Sequence, residues 1–213
     1  MPRAGSGWYY NLTKELVVAA GGVDAREIRS RYPLEPFLTE ENCNIGTLSF
    51  YRLLPVMTPL VFSPRYVIKL HAERRPLADF LISLGWILPT FIYRDPRDAL
   101  LSAYEYGRRM REKNLTNAFT PLTTIEKAID FMSDYVRIAE GWLASKKTLL
   151  VRYEDLLQEY DREFDRLAAH LKIDLNPQQK QLIADKYRPE QEQYQQEGMH
   201  FVHGKVGRHR THL

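Results

Sequence analysis

An α/β fold, three layers with a central parallel sheet between helices, follows from three features of this 213-residue sequence. Short apolar runs of strand character alternate with helical patterns, which argues for βαβ units. The runs are apolar on both faces, as strands covered by helices on each side must be. The length is that of one domain over 1–213, enough for a sizeable core.

The elements follow in order. "MPRAGSGWYY" opens the chain with a glycine-serine-glycine turn. Trp8, Leu12, Leu16 and Ala19 then recur at helical spacing, and Gly21-Gly22 end that helix. Asp24 with Glu27 has the form of a capping box for a short second helix. Five prolines between positions 33 and 64 predict loops and short helices there.

"RYVIKL" reads as the first strand, with Val67, Ile68 and Leu70 buried. "RPLADFLISLG" reads as a helix with Pro76 in its first turn and Gly85 after its end. "PTFIYR" is a second strand, and Asp95-Pro96 caps and starts the helix that follows. Thr123 and Glu126 open a long helix with an apolar stripe from Ile125 through Met132 to Leu143. "TLLVRY" is the third strand, and two further helices follow, around Phe164–Leu171 and after Asn176-Pro177.

Composition narrows the class. An apolar fraction of 44% and a charged fraction of 27% are those of an ordinary globular protein. No apolar run approaches the roughly 20 residues of a membrane span, and the start lacks the order of a signal peptide. The single cysteine, Cys43, excludes an internal disulfide framework and a thiolate metal cage. A net charge of +3 is too mild to imply a nucleic-acid partner. These features predict a cytoplasmic protein with neither nucleic acid nor a membrane span among its partners.

In parallel sheets ligands bind beyond the carboxyl ends of the strands, and the chemically suggestive residues cluster at those places. The opening turn runs into a helix, where backbone N–H groups and the helix dipole favour an anion. It ends in Gly7-Trp8 and not in Gly-Lys-Ser/Thr, so it is either an ordinary turn or a cradle for something other than the γ-phosphate of ATP.

Lys69 and His71, two apart on an extended segment, face one side, where a general base beside a cation could work. The plain alternative is a surface lysine and a hydrogen-bonded loop histidine. Arg94 at a strand end and Ser102 two turns into the next helix could share a phosphate. The alternative there is a capped helix on which Arg94, Arg97 and Asp98 solvate a face. Tyr153 follows the third strand and either meets a nucleotide base or packs in the core. "FVHGKVGRHRTHL" could fold its Gly204-Lys205 backbone over a phosphate.

The order of these motifs resembles the sulfotransferases that use 3′-phosphoadenosine 5′-phosphosulfate (PAPS). It runs P-R-x-G-S-G-W, V-I-K-x-H, Y-R-D-P-R-D-x-x-x-S, R-Y-E-D-L and G-K-V-G. That family's pattern is P-K-S-G-T-T-W, K-T-H, Y-R-x-P-R/K-D-x-x-x-S, Y-E-D-L and R-K-G-x-x-G-D-W. The resemblance implies a P-loop-like sulfotransferase architecture. It also implies transfer of a sulfonyl group to a hydroxyl, or an amine, of a small-molecule, lipid or glycan acceptor. The product would be 3′-phosphoadenosine 5′-phosphate (PAP). No metal would be needed, and a homodimer is left open.

The resemblance also assigns residues. Arg3, Ala4, Gly5, Ser6 and Gly7 would wrap the 5′-phosphosulfate, and Trp8 would stack on adenine. Arg94 and Ser102 would hold the 3′-phosphate, Tyr153 would lie near adenine, and His203, Gly204 and Lys205 would close over the 3′-phosphate. His71 would take the acceptor's proton, while Lys69 and Arg3 would stabilise charge on the sulfonate and the leaving phosphate.

Three departures stand out. Arg3 replaces the usual loop lysine, Gly7 replaces a hydroxyl residue, and Val202-His203 replace two basic residues. A core strand precedes the opening loop in the family, whereas only Met1 does here. The sheet is therefore expected either to lack a central strand or to receive it from upstream.

The acceptor walls are expected among Tyr32, Phe37, Phe50, Tyr51 and Phe62, and among Tyr104, Tyr106 and Phe119. Three rivals remain. A nucleotide kinase would need Gly-Lys-Ser/Thr in the opening loop. A silent binding module of the same fold would not need His71. A metal site would draw on His200, His203, His209 and His212.

Overall fold

The computed structural model describes residues 1–190 together with Gly207 and His209. Its centre is a parallel pair of strands, β1 (Thr90–Tyr93) and β2 (Leu149–Arg152), in the register Phe91↔Leu150 and Ile92↔Val151. Alternation along the strands sends these two pairs to opposite faces. Phe91 and Leu150 pack with one apolar cluster, and Ile92 and Val151 with another.

Helices cover both faces. On one lie α1 (Ser6–Ala19), α7 (Tyr153–Gln158), α8 (Tyr160–His170) and α9 (Pro177–Lys186). On the other lie α2 (Ala25–Arg31), α3 (Phe50–Met57), α4 (Pro76–Ser83), α5 (Pro96–Glu112) and α6 (Ile125–Leu143). The three-layer arrangement expected from the alternation of apolar runs and helices is present. Among the described residues no helix is long and apolar enough to cross a membrane.

Local signals fix most boundaries. Asp24 caps α2 by accepting from the Arg26 N–H, and Asp95 caps α5 through Arg97, with Pro96 in the first turn. Asn176 and Gln179 cap α9 reciprocally. The cap of α6 is Thr124, one residue later than the sequence suggests, and accepts from the Lys127 N–H.

The expected strand at residues 65–70 is not one. Lys69 pairs once, with Asn44, through bonds from Ile45 N to Lys69 O and from Lys69 N to Cys43 O. A ladder needs a neighbour along its whole edge, and the side of this segment toward β1 opens instead onto a cavity of about 260 Å³. Val67, Ile68 and Leu70 line that cavity, which explains why an apolar run here does not make a sheet. On the far wall the Met1 amine donates to the Ile92 carbonyl at 3.0 Å.

Candidate active site

The opening loop meets the carboxyl ends of both strands. Gly5 adopts φ 76°, ψ 15° as the N-cap of α1, and Arg3 is also left-handed at φ 58°. Glycine is required at position 5 for a second reason. A Cβ there would lie 2.7 Å from two ring carbons of Tyr153, so the loop rests directly on that ring. No side chain caps α1, so no side chain takes up its first-turn N–H groups.

Tyr153 follows β2 and is buried, and the Arg94 guanidinium, just past β1, lies 4.7 Å above its ring. The Arg3 Nε donates to Ser102 Oγ at 3.2 Å. Arg3, Gly5, Arg94, Ser102 and Tyr153 therefore converge, although they are spread over 150 positions of sequence. One placement is unexpected. The resemblance places Arg3 and Ser102 at different phosphates of one nucleotide, yet here they touch.

Ser102, Tyr106 and Arg109 lie at successive turns on one face of α5. The Arg3 guanidinium stacks 4.4 Å from the Tyr106 ring centre and 5.8 Å from that of Phe119. The Nη2 of Arg109 is buried without a hydrogen-bond partner. Arg109 is a candidate site residue that sequence reasoning missed. Its only signal was its spacing from Ser102, hidden within the basic run "GRRMREK".

From Tyr106 a row of rings leads across the molecule. Tyr106 meets Phe119 at 5.7 Å, Phe119 meets Phe131 at 5.7 Å, and Phe131 meets Tyr135 at 4.9 Å. Tyr135 then meets His71 edge-on at 6.5 Å. The next residue is fixed by α6, since Trp142 Nε1 donates to the Ala72 carbonyl at 3.0 Å. His71 borders the 260 Å³ cavity, and its Nδ1 is buried without a partner.

The electrostatics are dominated by cations, of which Arg94 is paired with Asp98. Burial lowers the Arg3 pKa to about 10, with the charges of Arg109 and Arg94 adding to the effect. Burial, then the Arg3 charge, lowers Lys69 to about 8. Burial lowers the Met1 amine to about 5, and Lys69 contributes. His71 is lowered to about 3 by burial, the Met1 amine and Lys69. Among the described residues, neither Arg3 nor Lys69 forms an ion pair with a carboxylate. Such an arrangement favours an anion.

Trp8 is placed differently from the expectation. It is 1% exposed, stacks on Tyr160 at 6.1 Å and donates through Nε1 to the Tyr187 carbonyl at 2.9 Å. It is a core residue that seats α1, as its place in the stripe with Leu12 and Leu16 implies. The expected acceptor walls also shift. Phe50, Tyr51 and Phe62 are exposed, while Leu48, Leu53, Val56 and Met57 from the same stretch line the cavity.

His203, Gly204 and Lys205 lie outside the described residues, as do His200 and His212 of the histidine cluster. His209 is described, and its partner is the carboxylate of Asp98.

Comparison with known proteins adds the family. The model of the sulfotransferase domain matches residues 90–213, which include β1, β2 and everything between and after them. Among solved structures, the chain resembles mouse sulfotransferase SULT7A1 complexed with PAP, with a TM-score of 0.63 at 14% identity. That match covers 100% of this chain and 76% of the other. It also resembles a retinol dehydratase in complex with androsterone and the inactive cofactor PAP, with a TM-score of 0.55 at 20% identity. There the coverage is 95% of this chain and 72% of the other. At these identities the likeness is one of fold. No curated protein matches the chain.

Proposed function

The chain belongs to the sulfotransferase domain family, and on that premise we propose that it moves a sulfonyl group from PAPS to a hydroxyl of an acceptor seated in the cavity beside His71. The observation that carries this reading is the half-buried group of Arg3, Lys69 and Arg109. It lies beside a helix N-terminus without a side-chain cap, and among the described residues neither Arg3 nor Lys69 is ion-paired with a carboxylate, Glu41 acting on Lys69 only at longer range. These residues fit a bound polyanion. The PAP held by the two structural neighbours supports its identity as this nucleotide.

When bound, PAPS supplies an activated sulfonyl group on a phosphate leaving group. The chain's own residues do the rest. The loop Arg3–Gly7 and the first turn of α1 hold the 5′-phosphate end, and Arg94 with Ser102 holds the 3′-phosphate. Arg3 spans the two, which its contact with Ser102 allows. His71 is neutral at pH 7, as a base must be, and its vacant Nδ1 is able to accept the acceptor's proton.

A histidine with a pKa of about 3 is a weak base, and a neighbouring anion corrects this by favouring the protonated form. Lys69 and Arg3 hold the charge that develops on the departing oxygen. The apolar lining of the cavity, including Val56, Phe91 and Trp142, excludes water from that step and suits a hydrophobic alcohol or phenol.

The test is calorimetric titration with PAP beside ADP. Affinity at least tenfold higher for PAP, a gap of about 1.4 kcal/mol, supports the nucleotide site, and equal affinity overturns it. His71→Ala then separates an enzyme from a silent binder, since only an enzyme loses transfer while retaining PAP.

A further inference from the structure

We propose that Asp98 is a positioning residue, a buried carboxylate that fastens the carboxyl-terminal segment, at Gly207 and His209, to the first turn of α5. The inference goes beyond the sulfotransferase reading and rests on it only for the consequence for nucleotide binding.

Asp98 stands at the third position of α5, where an acidic side chain ordinarily faces water and complements the helix dipole. Here it is 2% exposed. A carboxylate taken out of water needs its lone pairs filled, and it has about four acceptor sites to fill.

All four have donors. Oδ1 accepts from the His209 backbone N–H at 3.0 Å and lies 2.8 Å from His209 Nδ1. Oδ2 accepts from the Gly207 N–H at 2.7 Å and from Arg94 Nη2 at 3.4 Å. Three of the four donors come from residues 109 and 111 positions further along the chain. Gly207 is left-handed at φ 78°, a conformation that allows alternate N–H groups to converge on one anion.

The carboxylate also connects to the site. Arg94 shares Oδ2 with Gly207, and the same guanidinium lies over Tyr153, the ring on which Gly5 rests. Asp98 thus links Gly207 and His209 to Arg94 at the proposed 3′-phosphate subsite, without touching the nucleotide itself. Burial, the largest influence, pushes its carboxyl up. The bonds from His209 and Gly207 and the charge of Arg94 outweigh that and hold it below the ordinary value.

The experiment compares the wild type with Asp98→Asn and His209→Ala. One arm is limited tryptic cleavage without ligand, scoring the segment that carries Lys205 and Arg208. The other is calorimetric titration with PAP, and thermal denaturation confirms that each variant folds. The expected result is cleavage of that segment at least tenfold faster in Asp98→Asn and intermediate in His209→Ala, with PAP affinity lowered about tenfold.

Unchanged cleavage in both variants overturns the clamp. Faster cleavage with unchanged PAP affinity overturns the positioning role. If Asp98→Asn fails to fold, His209→Ala decides by the same readouts. If the wild type itself does not bind PAP, the nucleotide reading falls, while the cleavage arm still tests the clamp.

Discussion

Two charge clusters in this molecule, one around the buried Glu163 and one half-buried at the opening loop, are built on opposite terms. On the α8 side, Glu163 is 0% exposed, and both of its oxygens are taken, by Arg162 at 3.1 Å and by Arg166 at 2.6 Å. At the opening loop, Arg3, Lys69 and Arg109 are brought together with no carboxylate among them. The first cluster is complete as folded. On the proposed reading the second is completed by an anion supplied from outside. The contrast then separates charges that hold the fold from charges placed for a ligand.

The sharpest way to break this contrast is at His71. Conversion to Ala is expected to lower the turnover rate by about 10²–10⁴ while leaving PAP affinity unchanged, as measured by single-turnover kinetics beside calorimetry. Unaltered turnover would remove His71 from the chemistry.

Gly5→Ala comes next. It combines a left-handed backbone with a Cβ at 2.7 Å from the Tyr153 ring. A loss of about 1–3 kcal/mol in stability is expected in denaturant melts, together with weaker PAP binding. Glu163→Gln draws the other side of the comparison. It should cost about 1–2 kcal/mol, since Arg162 and Arg166 are half-exposed and regain water, and it should leave PAP affinity where it was. A fall in PAP affinity in that variant would erase the distinction between the clusters.

The smallest effect is in pH, and its sign is specific. Lys69 titrates near 8 in the fold against 10.5 when free. Between those values the unfolded chain binds the extra proton, so on this group's account stability rises with pH from about 8 to 10.5. Anion affinity should move the other way, falling as Lys69 loses its charge above about 8. Melts and PAP titrations over that range check both trends, and Lys69→Met should abolish both.

Much of the site was legible because its signals are local. Gly5, Arg94 and Tyr153 each occupy a strand end, a helix start or a turn, Ser102 lies two turns into α5, and a short motif marks each place. Asp98 and Arg109 were not legible. In sequence, Asp98 is a first-turn carboxylate and Arg109 one of several arginines, and nothing nearby distinguishes either from a solvated surface charge. Trp8 shows the reverse. Its helical spacing with Leu12 and Leu16 pointed to the core, while the motif pointed to a ligand, and in the fold it packs on Tyr160.

By itself the sequence determined the alternation of helices with apolar runs, the helix caps at Asp24 and Asp95, and the strand character of 90–93 and 149–152, though not that the run at 65–70 stays out of the sheet. These depend on backbone geometry and periodicity, which act over a few residues. Only the tertiary structure decided that the apolar run at 65–70 would line a cavity and not join the sheet. It alone brought Arg3 to Ser102 and filled Asp98 from the far end of the chain. Pairing, burial and neutralisation are properties of neighbours in space, and those neighbours lie about 100 residues away.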